Sequence, residues 1–147
     1  MPLLDIHHVA IKTQDLEATD RFYEEVLGLE KIERPDFDFP GTWFDLGSTM
    51  FHIMAGDAGL DNDGNPTHGS ASVDHVAVKA HDYDAMKNRV VELDMPHREF
   101  AIPTFGLWQL FVRDPNGVII ELNFTVADEP EGSTGPGTDN LFVPGEF

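Results

Sequence analysis

The chain has 147 residues, 41% of them apolar and 10% aromatic, enough for one domain with a packed core. Its 27 acidic and 9 basic residues give a formal net charge of -18, a surface that repels phosphate backbones and anionic headgroups, so neither nucleic acid nor a membrane is an expected partner. Cysteine is absent, which excludes disulfide frameworks, thiolate metal sites and a cysteine nucleophile, and leaves nitrogen and oxygen ligands for any metal.

The N-terminal MPLLDIHH lacks a basic region followed by a long apolar stretch, and no run approaches the ~18 apolar residues a membrane helix needs. A cytoplasmic location is the expectation.

DIHHVAIK opens the chain as a β-rich run. Alternation places His8, Ala10 and Lys12 on one face, Val9 and Ile11 on the other, and His7 opposite His8. Thr13 or Asp15 is then placed to cap a helix over LEATDRFYEEVL, with an apolar stripe through Leu16, Phe22, Tyr23, Val26 and Leu27. Gly28 supplies the left-handed stop. GTWFDLG and TMFHIMA follow as strands joined by a hairpin at GST. Residues 56–72, GDAGLDNDGNPTHGSAS, read as a flexible linker.

The pattern then repeats. HVAIKTQDLEA at 8–18 returns as HVAVKAHDYDA at 75–85, with His8, Val9, Ala10, Lys12, Asp15 and Ala18 matched by His75, Val76, Ala77, Lys79, Asp82 and Ala85. In this register His7 aligns with Asp74. The second copy continues as a helix over YDAMKNRVVELDM, stopped by Pro96. LWQLFVR and VIIELNF follow as strands joined by the tight turn DPNG. Each copy thus reads as strand, helix, then two or three strands. Module one covers about 4–55 and module two about 73–126. The tail, 127–147, is Gly-, Pro- and acid-rich and expected to be irregular, with Leu141, Phe142 and Val143 available to dock.

Polar residues inside the apolar strands carry the chemistry. His8 and His75 are repeat equivalents, and His52 in MFHIM and Glu121 in VIIELNF stand at corresponding places late in each copy. A carboxylate between Ile120 and Leu122 is costly unless it is paired or binds a cation. A lone strand histidine is more often an ordinary core or surface residue. Four such residues at duplicated positions point instead to a metal site, because pseudo-two-fold symmetry brings equivalent residues to one axis. Three imidazoles and a carboxylate suit Fe, Ni, Zn, Mn or Co in the divalent state. Of the remaining histidines, His68, His81 and His97 are expected to be solvated.

These stretches, together with FVRDPNGVIIELNF, resemble the vicinal oxygen chelate superfamily of glyoxalase I, bleomycin- and fosfomycin-resistance proteins and extradiol dioxygenases. The resemblance covers residues 4–126. It implies an α+β fold of two tandem βαβββ modules whose mixed sheets curl around one divalent metal, with His8, His52, His75 and Glu121 as ligands. It also implies a small-molecule substrate and a homodimer. Glyoxalase I normally carries Glu or Gln where this chain has His52, and its carboxylates act as bases. Glu121 and His52 are therefore the expected catalytic groups, although a metal-bound nitrogen of His52 cannot accept a proton. Lys12 falls where some glyoxalases place an arginine for glutathione, with Lys79 its repeat mate.

Among the aromatics of RPDFDFPGTWF and FGLWQLF, the residues Trp43, Phe44, Phe105 and Trp108 are expected to border the substrate. A glyoxalase-like isomerase or lyase is the leading expectation. His8, His75 and Glu121 would equally form the two-His, one-carboxylate triad of a ring-cleaving dioxygenase, where a fourth ligand would narrow the open coordination. A metal-free drug-binding protein is the third reading, opposed by four filled ligand positions.

Overall fold

The structure is a computed structural model describing residues 4–70 and 73–137. Leu141, Phe142 and Val143, expected to dock, lie outside the described residues. The chain divides into two compact units. One spans the first module up to Gly69 and takes in Asp114–Asn116; the other runs from Ser70 to Arg113 and resumes at Gly117.

In the first unit β1 (His8–Lys12) leads to α1 (Leu16–Arg21), then β2 (Glu30–Ile32), β3 (Gly41–Asp45) and β4 (Met50–Met54). Asp15 caps α1 by accepting from the backbone N–H of Ala18 at 3.0 Å. The expected helix to Leu27 changes form at Phe22. Over Phe22–Val26 it widens to π-helical bonding, with Leu27 N–H donating to Phe22 O at 3.2 Å, and it still buries Phe22, Tyr23 and Val26. Gly28 then adopts φ 71°.

The sheet order is β1-β4-β3-β2, with β1 parallel to β4 and the other pairs antiparallel. Tyr23 packs on Phe44 and Phe51, which together with Ile53 are essentially inaccessible to water. Burying each such side chain contributes roughly 1.5–3 kcal/mol. One sheet face is thereby committed to the helix. On β1 Ile11 is buried, while His8 and Ala10 stay exposed on the other face, as alternation requires.

The second unit repeats this order: β5 (Val76–Ala80), α2 (Tyr83–Glu92), β6 (His97–Ile102), β7 (Leu107–Arg113) and β8 (Ile119–Thr125), with sheet order β5-β8-β7-β6. Each module therefore carries three strands after its helix, and each four-stranded mixed sheet is open. Asp82 caps α2 by accepting from Ala85 N–H, and Asp94 at φ 52° follows the helix end. Tyr83, Val90, Leu110 and Phe124 form the helix-side core.

The connecting segment, read as a flexible linker, holds local structure. A short turn occupies Gly56–Gly59, Leu60 pairs with Pro66, and the Asp61 carboxylate accepts from the N–H groups of Asp63 and Asn65. Aspartate side chains here do the work of a backbone turn.

Candidate metal and substrate site

In the first unit the parallel register sets Ala10 of β1 opposite His52 of β4. His8, two residues before Ala10, therefore shares a face with His52. Their rings stack with centroids 4.0 Å apart. On the antiparallel side Trp43 of β3 is opposite His52, and its indole lies 3.9 Å away at 1° to the imidazole. His52 is thus held flat between His8 and Trp43. It is 9% exposed, and its Nε2 is buried with no hydrogen-bond partner. Burial, reinforced by His8, His7 and Arg34, lowers its pKa below the ordinary histidine value, so the ring is neutral at neutral pH.

In the second unit Ala77 of β5 is opposite Glu121 of β8, the register equivalent of Ala10 opposite His52. His75 Nε2 lies 2.8 Å from Glu121 Oε2. The other carboxylate oxygen, Oε1, accepts from Gln109 Nε2 at 2.7 Å, and Gln109 also donates to Asn123 Oδ1 at 3.1 Å. The second nitrogen of His75 is bound too, Nδ1 to Asp74 Oδ1 at 2.7 Å. In each module one strand pair therefore presents a histidine beside a second donor, on the face turned away from the helix.

A family model described as the Glyoxalase/Bleomycin resistance protein/Dioxygenase superfamily matches residues 5–122. The chain belongs to this superfamily. Among related proteins, Glyoxylase I 4 of Arabidopsis thaliana is 22% identical over 123 residues, which cover 82% of this chain and 70% of that protein. The crystal structure of lactoylglutathione lyase from Agrobacterium tumefaciens matches with 25% identity and a TM-score of 0.64, covering 86% of this chain and 98% of that one. A genomically encoded fosfomycin resistance protein from Listeria monocytogenes shares the fold at 18% identity and a TM-score of 0.60, covering 84% of this chain and 93% of that one.

Superfamily members generally use a divalent metal, and the donors present fit one. The Nε2 of His52 is a buried polar atom for which the chain supplies no partner, and such atoms call for an ion, water or ligand. His75 and Glu121 form a nitrogen–carboxylate pair of the kind that binds divalent cations. Within the first unit His8 lies against His52, and within the second His75 lies against Glu121. Among the described residues no group of three or more His, Asp or Glu side chains able to hold a metal is formed.

The other expected site residues are placed unevenly by this superfamily fold. Trp43 lies against His52. Lys12 donates to Leu60 O at 2.8 Å and so ties the connecting segment to β1. Phe44 is not a border residue: it is fully buried on the helix side against Tyr23. Trp108 also takes the helix side, edge-on to Tyr83, because β7 alternation gives the Glu121 face to Gln109 and Phe111. Phe105, in the turn Pro103–Phe105, is 77% exposed. His97 is half-buried, its Nδ1 bound to Met95 O, while His68 and His81 are exposed.

His7, Asp74, Gln109 and Arg34 also stand at these faces and were not picked out from the sequence. His7 was expected on the far side of the strand. It precedes the first residue of β1, so alternation does not govern it, and its Nδ1 lies 2.9 Å from His8 Nδ1. His7 thus does for His8 what Asp74 does for His75, and their alignment in the repeat was the available signal. Gln109, a polar residue inside LWQLFVR, carried the same signal as His52 and Glu121. Arg34 carried none, lying in a loop without periodicity.

Proposed function

We propose that the chain is a divalent-metal-dependent enzyme, a glyoxalase-like isomerase or lyase acting on a small substrate with two adjacent oxygens. On this reading His8, His52, His75 and Glu121 would hold the cation, Fe, Ni, Zn, Mn or Co, and the protein would work as a homodimer. The reading is carried by the duplicated register, Ala10 opposite His52 and Ala77 opposite Glu121, which offers a histidine and a second donor from each module.

The bound cation would supply Lewis-acid polarisation of the chelated oxygens, making the adjacent C–H bond more acidic. The chain's own residues do the rest. Glu121 takes the proton from one carbon and returns it to its neighbour. Gln109 holds Oε1 of that carboxylate, which fixes the orientation of Glu121 beside His75. His52, kept neutral by burial, brings no positive charge to compete with the cation. Trp43 closes one side of His52 to water.

Elemental analysis of purified protein, followed by assay of methylglyoxal with glutathione, tests this function. Stoichiometric metal and conversion of the adduct without oxygen consumption support it. Absence of any divalent-metal binding overturns it. A second reading, a ring-cleaving dioxygenase, draws on the His75–Glu121 pair with His8 as a two-His, one-carboxylate set. Oxygen uptake with catechols would favour that reading instead.

A further inference from the structure

Arg34 is the unusual charge in this protein. Only 9 of the 147 residues are basic, against 27 acidic, and Glu33, Asp36 and Asp38 are its near neighbours in sequence. Yet among the described residues no carboxylate lies within ion-pair range of its guanidinium. Its Nη2 donates to the backbone oxygen of Phe39 at 2.7 Å, and its Nε is buried with no acceptor. An arginine donor left buried and unsatisfied costs free energy, and a charge-assisted bond to an anion would recover it.

The surroundings say what kind of anion. The guanidinium carbon lies 4.9 Å from the ring centroids of both Phe37 and Phe39. Those two rings are themselves stacked, 5.4 Å apart at 4°, and Phe37 approaches Trp43 at 6.2 Å. Phe37 is 43% exposed, a large apolar surface left open to solvent. Gly41 alternates with Trp43 on β3 and therefore lies on the His52 face. A Cβ added there would come within 3.1 Å of Arg34 Nε and Nη2, and within 2.2 Å of Ile53 O. Glycine at this position leaves room for the guanidinium on the sheet, beside the stacked Trp43 and His52.

We propose that Arg34, with Phe37, Phe39 and Trp43, forms a subsite beside His52 for the carboxylate-bearing aromatic end of the substrate. The proposal deepens the function above and rests on reading this face as the substrate face. It does not require the cation. The rings supply planar apolar contact, and the unpaired guanidinium supplies a fork matched to a carboxylate. In a chain of charge -18 an anion is repelled almost everywhere, so a guanidinium without an acidic partner is the feature that admits one.

The test uses the full-length Trp108→Phe protein, in which Trp43 is the sole tryptophan, titrated with benzoate and with neutral benzamide, in chelator and with added zinc. Benzoate is expected to perturb Trp43 fluorescence saturably and to bind about tenfold or more tighter than benzamide. Arg34→Met is expected to abolish that preference, Arg34→Lys to retain part of it, and Phe37→Ala to weaken both ligands alike. Equal binding of the two ligands, a preference that survives Arg34→Met, or no saturable response to benzoate overturns the proposal. The same comparison of benzoate with benzamide in the unsubstituted protein, read by calorimetry, decides the matter even if a variant fails to fold. If the preference holds in chelator while no divalent metal binds, the enzyme reading falls and the subsite stands. If metal binds and the preference is absent, the reverse follows.

Discussion

His75 Nε2 stands 2.8 Å from Glu121 Oε2, and that contact joins the start of β5 to the strand hydrogen-bonded beside it. With a cation present the two atoms become its ligands rather than each other's partners. Glu121→Ala and His75→Ala are each expected to lower divalent-metal affinity by at least about 100-fold, since each removes a direct donor where even an outer partner costs 10–100-fold. Competition against a chromophoric chelator measures this. Unchanged affinity in both variants would move the metal elsewhere.

Asp74 and His7 make the same contact in the two copies, each binding Nδ1 of the next residue. The Asp74 carboxylate accepts from His75 Nδ1 and so leaves Nε2 to face the ligand, and His8 is left the same way when His7 Nδ1 is the acceptor. Asp74→Asn is expected to weaken metal binding by about 10–100-fold, and His7→Ala to act in the same direction. The absorption spectrum of the cobalt-loaded protein should shift in both, which a fold-stabilising role alone would not produce.

His52 sets function against stability. Its unpartnered Nε2 is a burden on the metal-free fold. His52→Phe is expected to stabilise chelator-treated protein by on the order of 1 kcal/mol, by removing that orphan. The same change should erase the stabilisation that metal confers, about 2.7 kcal/mol at a hundredfold excess over Kd. Thermal unfolding with and without zinc reads both effects. A variant that loses stability in chelator would show that His52 is held for packing.

Asp84 on α2 accepts from Thr134 N–H at 2.6 Å, from Gly135 N–H at 3.0 Å and from the Thr134 hydroxyl at 3.1 Å. The Thr134 backbone bond is the main cause holding its pKa below the ordinary 3.8, aided by Gly135 and Lys87 against some desolvation. A carboxylate depressed in the folded state contributes stability above its unfolded value and loses it as pH falls through the folded one. Gly135 lies against Trp108, where a Cβ would come within 2.5 Å of the indole. In a Trp43→Phe protein, Trp108 emission should therefore change as pH drops from about 5 towards 2. Asp84→Asn should already show the released spectrum at neutral pH. A transition preserved in that variant would exclude Asp84 as its cause.

Duplication made the outline and the donor pairs readable. Two copies of one pattern fixed the strand register, and register alone puts His8 with His52 and His75 with Glu121 on one face each. What stayed hidden depends on contacts that no periodicity encodes. Trp43 and Phe44 are adjacent aromatics, and composition does not say which faces the helix. Trp108 posed the same question on β7. The DPNG turn joins antiparallel β7 and β8 as its residues suggest, and its Asp114–Asn116 belongs to the first unit. There the Tyr23 hydroxyl donates to Asp114 Oδ2 at 3.2 Å, and the Thr13 hydroxyl to Asn116 Oδ1 at 2.6 Å. Such pairings link residues far apart in sequence and leave no local trace.

The two copies differ most tellingly at one pair of equivalent strand positions. Gly41 is opposite Met54, and Gln109 is opposite Asn123, so a bare backbone in one copy corresponds to an amide in the other. The empty one gave its floor to an arginine, and the filled one became a brace for a carboxylate. The halves are therefore no longer interchangeable parts. If the proposed roles hold, a protein assembled from two first halves would carry Arg34 twice and lack Glu121, while one from two second halves would carry Glu121 twice and lack Arg34 to grip an anionic ring.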